Sequence, residues 1–268
     1  MKTLGDLVAR ERRGGDPAVV APRTGRSYDY RRFCTTAWKT GNFFRRLGVH
    51  ANDEVASADS AGERSEASSH DAAVAVAADP EPEALLALFG AALLGAPTRF
   101  VPRRGGAGRT GSEASVEARV VVAPSESVSD YNLAAGGQRV GYGDPPDDPA
   151  THHFERDVWS ENPAFPETPV PPATSALVAG GRAFSHADLL GAARGVAETW
   201  DLEPGDEVAV RAPLTEPGAV VAGVLAPLLA GAAVLLPTDE SVGDCAVVDG
   251  SGADAPEDRT LPAAALEL

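Results

Sequence analysis

Apolar positions along the chain follow two periods, and the two succeed each other in the same order twice. Ala18-Val19-Val20-Ala21 is a short apolar run separated by a turn from Gly25-Arg26-Ser27-Tyr28, and Ala176-Leu177-Val178-Ala179 stands in the same relation to Gly181-Arg182-Ala183-Phe184 across a shorter turn. Each pair predicts a β-hairpin. Directly afterwards the period becomes helical: Tyr30, Phe33, Ala37 and Phe44 fall on one stripe, and Leu189, Ala193, Val196 and Trp200 on another. Ser185 and Asp188 have the spacing of a capping box at the start of the second helix.

The repetition continues downstream. Residues 71–102 lie over 206–237 without a gap, so that Asp71, Glu81, Pro82, Leu93, Leu94 and Pro102 fall on Asp206, Glu216, Pro217, Leu228, Leu229 and Pro237. Each copy reads as a hairpin plus a βαβ unit, and the expected fold class is α/β, with two repeated units forming parallel-type sheets covered by helices. The expected division is a first α/β unit at 1–102, a Gly/Pro-rich connector with one strand at 103–173, a second α/β unit at 174–250 and a polar tail at 251–268. A Ser-, Ala- and Glu-rich stretch at about 53–70 has no counterpart in the second copy and is expected to be a mobile surface insertion, since lengthening a loop costs little entropy.

Charge narrows the function classes. With 39 acidic against 23 basic residues the formal net charge is −16, and Lys2 and Lys39 are the only lysines. Nucleic-acid binding needs a basic face and is excluded by the sign of this balance. An acidic surface with few lysine stems suits molar salt, where the Debye length falls to about 3 Å, so a halophilic, haloarchaeal cytoplasm is expected. Cys34 and Cys245 lack metal-ligand spacing and read as two small buried or half-buried thiols. The acidic start, Met1 to Asp6, argues against an export signal. Residues 218–237 carry no charge, which is long enough to raise a membrane span. Gly218, Gly223, Pro227 and Gly231 interrupt the run, and a buried helix followed by a buried parallel strand gives the same string.

Gly25 to Tyr30, the amphipathic stretch to Gly48, and EPEALLALFGAALLG at 81–95 resemble the N-terminal region of the adenylate-forming enzymes, such as acyl-CoA synthetases. The second copy, from Ser185-His186-Ala187-Asp188 through Pro213 to Pro227-Leu228-Leu229-Ala230-Gly231, resembles the segment that follows the phosphate loop in that family. The resemblance implies an N-terminal ligase fold. It also implies a Thr/Ser/Gly-rich loop ending in Pro-Lys-Gly just before the second copy, cradling ATP phosphates. Here that place reads Thr174-Ser175-Ala176-Leu177-Val178-Ala179-Gly180-Gly181-Arg182, without lysine. A Gly-Gly hairpin turn is the simpler reading, and an anion held by Gly180, Gly181 and Arg182 the sharper one. The family's adenine motifs and C-terminal lysine have no counterpart either; Gly141-Tyr142-Gly143-Asp144 stands in the wrong place and reads as a turn.

No catalytic, cofactor-binding or metal residue is therefore assigned, and no cofactor. His152, His153, Glu155 and Asp157 are metal-ligand types, but neighbouring histidines in an extended segment point to opposite sides. Trp159 and Phe165 read as aromatics pinning a proline-rich linker to the core, with ligand binding the alternative, and Gly105-Gly106-Ala107-Gly108 as a linker. The expected function is that of a degenerate acyl-CoA synthetase-like protein, a non-catalytic binding or regulatory module with a possible protein partner in acyl-CoA metabolism. One subunit of a split acid–thiol ligase and a protein-interaction scaffold are the alternatives.

Overall fold

The computed structural model describes residues 1–51, 73–104, 116–164, 168–250 and 255–268. The expected insertion at 53–70, the run Gly105 to Gly108 and the pair Phe165-Pro166 lie outside the described residues. In chain order the first part forms β1 (Pro17–Ala21), β2 (Arg26–Asp29), α1 (Tyr30–Arg46), β3 (Val74–Ala77), α2 (Pro82–Ala92) and β4 (Thr98–Val101). The middle forms β5 (Val120–Pro124), β6 (Gln138–Tyr142), β7 (His152–His153) and α3 (Phe154–Trp159). The last part forms β8 (Ser175–Ala179), β9 (Arg182–Ser185), α4 (His186–Thr199), β10 (Glu207–Val210), α5 (Pro217–Val220), a π-helical segment (Val221–Leu225), α6 (Ala226–Ala230), β11 (Ala233–Leu235), β12 (Cys245–Val248) and β13 (Thr260–Pro262).

The repeat is real down to its irregularities. β1–β2 and β8–β9 are both antiparallel, and in each the register slips at the same place, between Pro17 and Val19 and between Ser175 and Leu177. Each hairpin leads straight into a capped helix. The Asp29 carboxylate accepts the Arg32 N–H at 2.6 Å, while Ser185 Oγ accepts the Asp188 N–H at 3.2 Å and Asp188 accepts the Ser185 N–H at 3.1 Å. Both expected apolar stripes are buried.

The two copies exchange their hairpins. Among the described residues the strands form a six-stranded sheet, β13-β12-β10-β11-β1-β2, and a seven-stranded sheet, β7-β6-β5-β3-β4-β8-β9. The first hairpin thus joins the βαβ strands of the second copy through parallel β1–β11 pairing, and the second hairpin joins those of the first through β4–β8. Residues 1–102 and 174–250 therefore do not form two self-contained units. One contiguous core draws on both sheets and on α1, α2 and α4.

Alternation within the strands explains how each sheet is covered. Val74 and Val76 of β3 enter the shared core, whereas Ala75 and Ala77 face a small cluster with Val128 and Tyr131 on the other side; in β10 and β12, Val208, Val210 and Val247 face inward while Ala209 and Ala246 face outward. α2 is buried at every position and has no polar face to present. It crosses α1 so closely at Gly90 that a Cβ there would sit 2.7 Å from Thr40 Cγ2 and 3.1 Å from the Gly41 nitrogen. The uncharged run 218–237 is the buried helix and strand expected from its glycines and prolines, and among the described residues no helix is long and apolar enough to cross a membrane.

Three expectations are corrected. The stretch 103–173 carries β5, β6, β7 and α3 rather than one strand, and supplies one flank of the seven-stranded sheet. Gly141 and Tyr142 belong to β6, and only Gly143, with φ 88°, turns the chain; the polar start Gln138-Arg139 and the glycine hid an edge-side strand. The stretch 255–268 is no polar tail, because β13 pairs in parallel with β12 and Ala263 is buried.

Candidate functional site

β3 continues through α2 to β4 on one side, and β5 leads to β6 on the other. The connections leaving the carboxyl ends of β3 and β5 therefore run to opposite sides, and the crevice at such a point is where open α/β sheets hold ligands. A cavity of about 380 Å³ lies there, lined by Arg23, Asp79, Glu81, Glu83, Arg103 and Tyr142 among others.

Three carboxylates follow β3 at alternate positions, and all are buried: Asp79 is 2% exposed, Glu81 7% and Glu83 1%. Burying charge is costly unless it is paired. Asp79 Oδ1 accepts from Arg23 and from Arg103, each at 3.2 Å, and Oδ2 accepts from the Tyr142 hydroxyl at 3.1 Å. Arg23 also reaches Glu81, and Arg26 pairs with Glu83 and the Tyr28 hydroxyl. Arg23 follows β1 and Arg26 lies in β2, so the hairpin of one sheet is clamped onto the carboxylates of the other. Burial, followed by the Asp79 charge, pushes the Tyr142 phenol far up and keeps it a donor.

The clamp is charge-balanced but not saturated. Glu81 Oε2, Glu83 Oε2 and Ser125 Oγ are buried without a hydrogen-bond partner. Burial pushes the Glu81 carboxyl up, Arg23 pulls it back, and Glu83 and Asp79 add to the rise, so Glu81 keeps its proton to higher pH than an exposed glutamate. The chemistry on offer is hydrogen bonding and ion pairing by a buried set of carboxylates and guanidiniums. Among the described residues no group of three His, Cys, Asp or Glu side chains is placed to hold a metal ion.

The residues singled out in the sequence fall elsewhere. His152 pairs with Asp157 at 3.3 Å and His153 with Glu155 at 3.1 Å, forming two separate contacts on opposite sides of β7. Cys34 and Cys245 are free and buried. Trp159 does not pin its segment to the core: it is 80% exposed. Gly180 and Gly181, with φ of 57° and 75°, make the two-residue turn between Ala179 and Arg182, and Arg182 donates to the Leu268 carbonyl at 2.9 Å. Asp79, Arg23 and Arg103 went unnoticed in the sequence; the only trace was the alternation Asp79-Pro80-Glu81-Pro82-Glu83, in which carboxylates recur after a buried strand.

Solved structures share this architecture. An anthranilate CoA ligase, AuaEII, in complex with anthranoyl-AMP superposes with a TM-score of 0.69 over 91% of this chain and 49% of its own, at 14% identity. The fold is that of the N-terminal domain of acyl-CoA ligases. A benzoate CoA ligase from Burkholderia xenovorans LB400 gives 0.66 over 91% and 50% at 18% identity, and the N-terminal domain of FACL13 from Mycobacterium tuberculosis gives 0.60 over 88% and 56% at 14% identity. The chain spans about half the length of these structures. No protein-family model matches the sequence, and no curated protein matches it.

Proposed function

We propose that this protein is a non-catalytic relative of the adenylate-forming ligases, serving inside the cell as a binding or regulatory module of acyl-CoA metabolism together with a protein partner. The observation that carries the reading is the tight turn between β8 and β9. Ligases of the kind it resembles meet ATP at this point with a long loop whose backbone amides, hydroxyls and lysine surround the phosphates. Gly180 and Gly181 alone join the strands here, and the stretch from Thr174 to Ser185 contains no lysine.

The test combines turnover with binding. Purified protein with ATP, magnesium and a panel of carboxylic acids is expected to release no pyrophosphate above background, while calorimetry with a non-hydrolysable acyl-adenylate analogue, and with AMP and CoA as comparators, is expected to show saturable binding. Pyrophosphate release by the protein alone overturns the reading. Release only after addition of a partner carrying the missing loop makes it one subunit of a split ligase, and no heat from a folded sample makes it a protein-contact scaffold.

The charge pattern supports a salt-rich working environment. At a net charge of −16, screening by molar KCl relieves self-repulsion that millimolar KCl leaves in place. The melting temperature is expected to fall as KCl is lowered from molar to millimolar, and a melting temperature that stays constant would remove the argument.

A further inference from the structure

A second cleft, of about 630 Å³, opens on the far side of the Arg26–Glu83 pair, between the start of α1, β2 and α3. Its apolar surface comes from Leu86, Phe154, Val158 and Tyr28, each at most 4% exposed as a residue. Clefts of roughly 300–1,000 Å³ with apolar walls and a few convergent charges are the usual form of small-molecule sites.

The rim has the opposite sign to the rest of the protein. Arg13, Arg31, Arg32 and Lys39 line it, and among the described residues none of the four makes an ion pair, although the chain carries 39 acidic residues. The fifth cation, Arg26, is neutralised by Glu83. The acidic side chains facing them are already engaged: Asp29 caps α1 through the Arg32 N–H, and Glu155 accepts the Gly143 N–H at 2.9 Å. Burial pushes the Glu155 carboxyl up, which weakens its opposition to an incoming anion.

Trp159 is an independent sign of use. It stands at the mouth with 80% of its surface in solvent, and Lys39 holds it there by donating to its carbonyl at 2.7 Å and by lying 5.1 Å from the ring centroid. Trp38 and Trp200, by contrast, are 6% exposed. An exposed indole beside an apolar floor, and cations that lie over aromatic rings without a carboxylate partner among the described residues, Arg32 over Tyr28 and Arg13 over Trp38, match a ligand with an apolar body and an anionic end.

We propose that this cleft binds an amphipathic organic anion, its apolar body on Leu86, Phe154 and Val158 and its carboxylate or phosphate on Arg31, Arg32 and Arg13, with Trp159 covering the exposed edge. The proposal does not depend on the loss of the phosphate loop. It requires that apolar contact and charge act together, so that neither a bare anion nor a neutral analogue binds as well.

The probes are 1-naphthyl phosphate and 2-naphthoate, with naphthalene-methanol and inorganic phosphate as the neutral and headgroup-only comparators. Binding is followed by calorimetry and tryptophan fluorescence at the lowest KCl that keeps the protein folded. At least one aryl anion is expected to saturate and to bind at least about tenfold more tightly than either comparator, a difference of about 1.4 kcal/mol; which headgroup is preferred distinguishes a carboxylate from a phosphate ligand. Arg31→Glu, whose native side chain makes no hydrogen bond or ion pair among the described residues, is expected to weaken the aryl anion about tenfold and leave naphthalene-methanol unchanged. Trp159→Ala is expected to weaken the aryl anion and abolish most of the fluorescence change. Both variants should keep the parent circular dichroism and melting temperature. Equal affinity for the neutral compound, equal affinity for inorganic phosphate, an unchanged affinity in Arg31→Glu, tighter binding of an acidic peptide such as hexaglutamate, or no saturable binding by folded protein would each overturn the proposal.

Discussion

Glu257→Ala is expected to destabilise the protein by about 3–5 kcal/mol, measured by denaturant unfolding at neutral pH, because it strands a guanidinium that has no other ion pair among the described residues. The Glu257 side chain is fully buried, and it takes Arg211 Nε at 2.7 Å on one oxygen and a second Arg211 nitrogen at 2.6 Å on the other, with the Gly243 N–H at 3.1 Å. This pair sits at the carboxyl end of β10, beside β12, and ties 255–268 to the six-stranded sheet. Removing both charges at once, as Arg211→Met with Glu257→Leu, is expected to cost far less than the single change, because neither charge is then left alone. A Glu257→Ala cost no larger than that of the double variant would mean that the pair contributes no net charge coupling.

The same pair predicts a pH dependence. Burial by itself would raise the Glu257 pKa; the Arg211 hydrogen bonds and the Gly243 amide outweigh it and hold the carboxyl below the ordinary glutamate range. A carboxyl depressed in the folded state stabilises the fold above its unfolded value of about 4.3, and that contribution is lost as pH falls through the folded value. Glu257→Ala is therefore expected to flatten the acid limb of the stability curve, and a limb of unchanged slope would exclude Glu257 as its source.

Phe89→Ala is expected to cost about 3–5 kcal/mol for a different reason, the loss of a fully buried aromatic ring and the cavity left behind. The Phe89 ring on α2 stands edge-on to Phe33 on α1, with centroids 5.6 Å apart and planes at 82°, and neither residue is exposed to solvent. The informative reading is the shape of the transition. Because the hairpins are exchanged, the whole chain is expected to unfold in one transition that moves as a unit, with Trp200 fluorescence and far-ultraviolet circular dichroism shifting together. A Trp200 signal that kept its parent midpoint while circular dichroism lost part of its amplitude early would show two halves folding separately, contrary to the shared core.

Much of the chain was legible one segment at a time. The hairpins announce themselves by turn glycines between apolar runs, α1 and α4 by stripes at helical spacing, and the start of α4 by Ser185 with Asp188; each signal lies within a few residues of the structure it specifies. β6, β7 and β13 escaped because they are short or polar and become strands only by pairing with a neighbour already in place. The candidate sites escaped more completely. Asp79 reads as a loop acid and Arg23 as a turn cation until β1–β2 is laid against the other sheet, and the rim cations Arg13 and Lys39 lie 26 positions apart until α1 folds over the N-terminal segment.

Sequence by itself therefore determined the α/β class, the repeat and the two-glycine turn that stands in place of a longer loop, since period, propensity and turn chemistry are local properties. Only the tertiary structure decided that the copies exchange hairpins, that 103–173 completes a sheet, and that an acidic chain gathers unpaired cations around one apolar cleft. The physical reason is that an edge strand offers the same backbone hydrogen bonds to either sheet. Which sheet it joins is settled by the packing of its inward side chains, Val19 of β1 and Leu177 of β8, in the shared core, and that core exists only once both sheets are in place.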